Sequence, residues 1–226
     1  MKKIVVKEEY LPSIKNEEKF INAIQLGRIV GAIRYNIIIH AKIIDDEKVN
    51  TSLQLYLLLN HGALVYEGIK KFNKNKSDFE NLNYYKGNLD MIGKILNEAN
   101  EKNSFTNTVL KRIRNKVAFH FDKKVIKKVI EQFVDDSLKE NKEVVLISGK
   151  SELARDTTYQ LADNMNINYV LKLINEEEKS IREKVEILSK NLFGLSGLFC
   201  DILDQLIPDL IEDYCELKEE ENKKET

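Results

Sequence analysis

Ile181, Val185, Leu188, Leu192, Leu195, Phe199, Ile202 and Leu206 follow one another in unbroken steps of four and three. That spacing winds one apolar seam along a helix for more than three heptads. A seam this long has to be covered, either by other helices of the same chain or by a second copy. The reading preferred here is the long helix of an antiparallel bundle, ahead of a free dimer zipper. Gly194 and Gly197 on its flank predict close helix approach, and Pro208 predicts a bend or a stop.

The rest of the chain points the same way. Two prolines and nine glycines in 226 residues leave few turn markers, which favours long helices over many short strands. Pro12-Ser13 marks the start of a first helix reaching about residue 44, with isoleucines on most of its faces. A polar break at 45–50 precedes a second helix, capped by Thr51 or Ser52 and running to about Phe72. Ser77-Asp78-Phe79-Glu80 spells a capping box for a third, interrupted near Gly87 and resuming from Leu89 to about Glu101. Ser104 or Thr106 starts a fourth, and Asp122 a fifth to about Leu138. Residues 143–147 suggest one short strand or an extended connector. Thr157 or Thr158 caps a further helix to about Ile174. The fold class expected is all-α: a helical bundle in a single domain over 1–216, with a disordered charged tail over 217–226.

The net charge of −1 conceals an asymmetry. Residues 1–140 hold 25 basic and 18 acidic side chains, a net of +7, and residues 141–226 hold 11 and 19, a net of −8. A polyanion site on the basic half and mutual attraction of the two halves both fit this split. Cys200 and Cys215 are the only cysteines, too few for a thiolate metal motif or a disulfide framework, and they read as reduced thiols. Neither a signal peptide nor an apolar run of membrane-spanning length is expected, so the sequence suggests a cytoplasmic protein that does not enter a membrane.

The candidate chemistry sits in one basic segment. Lys111, Arg112, Arg114 and Lys116 fall within six positions, His120 follows, and Lys123 and Lys124 continue the run. Arginine offers phosphate a permanently charged planar fork, and histidine moves protons near neutral pH. On a regular helix Arg114 and His120 stand about 120° apart. They meet only if the helix is distorted there, or if a second copy supplies one of them. Arg28, Asn36 and His40 form a polar stripe on the first helix, expected to find buried partners or to face a cleft.

Arg114, Asn115 and His120 together resemble the signature of the HEPN family: an arginine, a polar residue beside it, and a histidine after a gap of four to six. The resemblance covers about residues 100–132. It implies a compact helical bundle that pairs as a homodimer. It also implies a metal-independent endoribonuclease of toxin–antitoxin or defence systems, needing no cofactor, with an antitoxin protein as a further partner. Arg114, Asn115 and His120 would then be catalytic, and Lys111, Arg112, Lys116, Lys123 and Lys124 would hold the nucleic-acid backbone. A non-catalytic helical module binding RNA, a nucleotide or a partner protein is the alternative, and a helical scaffold built on the seam is a third.

Other motifs carry less. Ser148-Gly149-Lys150-Ser151 lacks the glycine a phosphate loop needs five positions before Gly149, where Val144 stands, and reads as a turn. None of the three histidines has a glutamate three residues before it, so no di-iron motif is present, and no metal site is expected.

Overall fold

In the computed structural model, residues 2–44, 51–118, 131, 171 and 180–219 are described. The architecture is the expected all-α bundle with a long C-terminal helix. Strand β1 (Lys2–Val6) leads through two short 3-10 turns into α1 (Glu18–Ile44), followed by α2 (Thr51–Lys74). Next come a short α3 (Asn83–Gly87), α4 (Leu89–Asn100), and two π-helical stretches, Thr106–Leu110 and Ile113–Ala118. Helix α5 (Ile181–Ile211) and strand β2 (Cys215–Glu219) close the chain. No helix among the described residues is long and apolar enough to cross a membrane.

The heptad seam lies inside the bundle. Leu188, Leu192, Phe199, Ile202 and Leu206 are buried against α1, α2 and α4, so helices of the same chain cover them. Phe199 stacks at 6.4 Å on Phe72, which stacks at 5.3 Å on Phe79. A glycine makes this possible. A Cβ at Gly68 would stand 2.6 Å from Phe199 Cε1 and 3.0 Å from Ile29 Cγ2, so only a bare backbone lets α1, α2 and α5 converge there.

Three local expectations are corrected. Among the described residues Gly194 and Gly197 permit no close approach, since a Cβ at either would meet nothing there within 4 Å. Of the bend or stop expected at Pro208, the stop is excluded: α5 continues to Ile211, with Leu206, Leu210 and Ile211 buried and holding the last turn. Ser77 does not open a helix. Burial of Phe79 under Phe72 turns the chain at Lys76–Asp78 into a 3-10 turn, and no side chain caps it. The capping box forms instead at Ser180, whose Oγ accepts the Glu183 amide while Glu183 Oε2 accepts the Ser180 N–H at 2.7 Å.

The chain ends pair, a feature absent from the expectations above. β1 and β2 run antiparallel, with Lys2 opposite Glu219 and Val6 opposite Cys215. Leu217–Glu219, the first residues of the segment read as a tail, are therefore strand. The expected strand at 143–147 and the helices over 123–138 and 157–174 lie outside the described residues, apart from two isolated helical positions, Glu131 and the buried Leu171.

Candidate nucleic-acid interface

The basic segment starts where α4 ends, and polar side chains join the two. Ser104 Oγ donates to the Glu98 carbonyl at 2.7 Å and accepts the Asn107 N–H at 3.1 Å, so Ser104 caps the new helix as its sequence suggests. Glu98 Oε2 accepts the Thr106 N–H at 2.9 Å. The Asn107 amide donates to the Ala99 and Glu101 carbonyls at 3.1 and 2.8 Å. These bonds satisfy groups that a helix end and a helix start would otherwise leave open. Lys70 of α2 joins them, its Nζ donating to the Ala99 carbonyl at 2.5 Å and to Asn107 Oδ1 at 2.8 Å. The segment is thus tied to α2 before its basic residues begin.

Val109, Leu110 and Ile113 bury the inner side of the segment. Gly62 on α2 makes room for it, since a Cβ there would stand 3.3 Å from Ile113 Cδ1. Over the described part of the motif the helix departs from regular α geometry. Ile113–Ala118 is π-helical, a wide-turned form that recurs at functional sites.

Arg114 is half-buried on that wide turn, and its Nε donates to the carboxylate of Glu67 on α2. Its Nη1 donates to Asn115 Oδ1 at 3.1 Å, so the two neighbours meet through their side chains. Around this pair the electrostatics are coupled. The Tyr66 hydroxyl is pushed up by burial and by Glu67, with Arg114 pulling the other way. The Lys70 ammonium, 5.9 Å from the centre of the Tyr66 ring, is pushed down by burial and by nearby Lys111. Tyr66, Glu67 and Lys70 from α2 therefore border the same patch as Lys111, Arg114 and Asn115.

Lys111 and Arg112 are exposed, and the backbone of Lys116 lies on the second π-helical stretch. His120, Lys123 and Lys124 lie outside the described residues, as does the side chain of Lys116. Tyr66, Glu67 and Lys70 were missed by motif spacing, because Glu67 is 47 positions from Arg114. One signal was available. Glu67 is the only acidic residue between Glu47 and Asp78, on a helix whose other charges are lysines.

The polar stripe on α1 is divided. Arg28 is exposed, whereas Asn36 is buried with Oδ1 lacking a hydrogen-bond partner. His40 is half-buried, its ring 5.5 Å from that of Phe193 on α5. His61 of α2 lies on the same phenyl ring at 5.1 Å, and neither of its ring nitrogens has a partner. Asn36 is thus turned into the bundle and His40 partly so, with His40 and His61 sharing the Phe193 ring, while Arg28 is not. Among the described residues, no group of three or more His, Cys, Asp or Glu side chains is placed to hold a metal ion.

No protein-family model matches the chain, and no curated protein or solved structure is significantly similar to it.

Proposed function

We propose that the chain is an HEPN-like RNA-processing protein that cleaves RNA without a metal ion, acting as a homodimer. The observation that carries this reading is the setting of Arg114: a half-buried guanidinium on a π-helical turn, oriented by Glu67 and Asn115, with exposed Lys111 and Arg112 beside it. Two anchors fix the plane of the guanidinium, and a preoriented fork loses little freedom when it grips a phosphate.

In the reaction, the RNA 2′-hydroxyl attacks the adjacent phosphorus and the 5′-oxygen leaves, giving a 2′,3′-cyclic phosphate. The protein therefore supplies no nucleophile. Arg114 stabilises the extra negative charge on the phosphoryl oxygens in the transition state. His120 moves a proton, from the 2′-hydroxyl as general base or to the leaving oxygen as general acid. Lys111, Arg112, Lys116, Lys123 and Lys124 hold the backbone by charge, with little sequence preference.

The test is cleavage of single-stranded RNA by purified protein in excess chelator, beside His120→Ala and Arg114→Ala. Cleavage that persists in chelator and disappears in both variants supports the reading. Activity equal in all three samples overturns it. RNA binding without cleavage in any sample leaves the non-catalytic module as the account.

A further inference from the structure

Helix α1 buries one apolar face in the bundle and leaves a second in the open. Ala23, Leu26, Val30 and Ile33 are buried against α2 and α5. Away from them, Ile24, Arg28, Gly31, Tyr35, Ile38 and Lys42 follow in steps of four, three, four, three and four, and all six are exposed. Ile24 is 53% exposed, Tyr35 68% and Ile38 51%. These three are half of the six large hydrophobic side chains exposed among the described residues, gathered on a single stripe. Apolar surface gathered in this way marks a contact site, whereas scattered exposed residues would need no explanation.

We infer that this stripe docks an amphipathic helix of a partner protein, one whose apolar seam is flanked by carboxylates. Periodicity, a hole and charge together select that occupant. The steps of four and three run from Ile24 to Lys42, roughly 27 Å, the contact line of a helix laid along α1. Gly31 at its middle is open, since a Cβ there would meet nothing within 4 Å, so bare backbone leaves a hole for a large side chain of the partner. Arg28 and Lys42 alternate with the apolar positions, and from Lys19 to Ile44 the helix carries no acidic residue. Arg34 is paired with Asp204 on α5, whereas Arg28 and Lys42 have no carboxylate partner among the described residues. A cation at such a position lays its aliphatic stem along the seam and reaches outward, to carboxylates flanking the seam of the facing helix. A second copy of α1 fits worse. Antiparallel pairing with Tyr35 over Gly31 leaves Arg28 of one copy about 6 Å along the axis from Lys42 of the other, and parallel pairing in register sets each cation on itself. A lipid surface also fits worse, because both cations lie within the stripe that would enter the apolar layer. The inference rests on α1 alone, is independent of RNA cleavage, and leaves the proposed homodimer to another face.

The probe is a fluorescent three-heptad peptide with leucine at a and d and glutamate at e and g, whose like charges keep it from pairing with itself. Anisotropy measures its binding to the full chain, beside the same peptide with lysine at e and g. The acidic peptide should bind about tenfold tighter than the basic one, as opposite-charge contacts become like-charge ones, and the difference should shrink as salt rises. Ile38→Glu should abolish binding with circular dichroism unchanged, because Ile38 is exposed. Arg28→Glu and Lys42→Glu together should reverse the preference between the peptides, a result that misfolding would not produce. Failure of the acidic peptide to bind overturns the inference, as does equal binding of both peptides or binding that Ile38→Glu leaves intact. Self-association of the unsubstituted chain that Ile38→Glu abolishes would make a second copy the occupant and overturn it too. Flotation with phosphatidylglycerol vesicles, abolished by the same substitution, would do so in favour of a lipid surface.

Discussion

His61 ties the stability of the bundle to pH in a way that can be calculated. Its side chain is 1% exposed between α1, α2 and α5, with the Phe193 ring 5.1 Å away and both ring nitrogens unpartnered. Burial, with His40 nearby, lowers its pKa from 6.5 to about 4. Above pH 6.5 the imidazole is neutral folded or unfolded, and nothing is lost. As pH falls from 6.5 towards 4, the unfolded chain takes up a proton that the folded chain refuses, so stability declines. Below about 4 both states are protonated and the loss levels off. Between pH 7 and pH 5 the loss from this one group is about 2 kcal/mol. Carboxylates titrate mostly below that window. His40, also lowered by burial, adds a change of the same sign.

The assay is urea unfolding at pH 7, 6 and 5 for the unsubstituted chain and for His61→Leu. Leucine removes the titration and the two unpaired nitrogens together, so at pH 7 the variant should be no less stable, despite its different shape. Across the pH range its decline should be smaller than that of the unsubstituted chain by about 2 kcal/mol. Comparing the two chains cancels what His120 and the carboxylates contribute to both. Parallel declines would refute the reasoning, because they would mean that His61 titrates in the folded protein as it does in water.

Three further outcomes follow from particular contacts. Gly68→Ala drives a Cβ to 2.6 Å from the Phe199 ring, whereas Gly93→Ala meets open space; thermal unfolding should place the first below the second by roughly 1–3 kcal/mol. Ser180→Ala removes the hydroxyl that caps α5 and should cost about 1 kcal/mol in the same assay. If the basic segment tracks an RNA backbone, Lys111→Ala should lower the slope of log affinity against log salt by about 0.7, with sequence preference unchanged.

What the sequence disclosed was local and periodic. The seam on α5 was legible because five of its positions are buried in the order their spacing dictates. The interruption of the third helix was also legible, with α3 ending at Gly87 and α4 starting at Leu89. The failures share one cause. Ser77-Asp78-Phe79-Glu80 has a helix-start pattern, but the pull of Phe79 into the Phe72 cluster outweighs a cap worth about 1 kcal/mol. Gly194 and Gly68 are indistinguishable by type, yet only one faces an aromatic ring, and that depends on which side of each helix the bundle buries. The pairing of Lys2–Val6 with Cys215–Glu219 joins opposite ends of the chain, where no local pattern reaches.

The same limit governs the candidate site. A motif in sequence names residues that lie on one helix, and residues on one helix can orient each other only through neighbours such as Asn115. Fixing a guanidinium in two directions takes a second element, here α2, and α2 contributes Glu67 from 47 positions away. Lys70, three residues further along α2, holds the base of the same segment through Ala99 and Asn107. One helix thus sets both the position of the basic segment and the orientation of its central arginine. A substitution such as Glu67→Gln should therefore disturb Arg114 without moving the segment, because Lys70 and Gly62 still hold it in place. That separation lets the role of the guanidinium be measured apart from the fold that carries it.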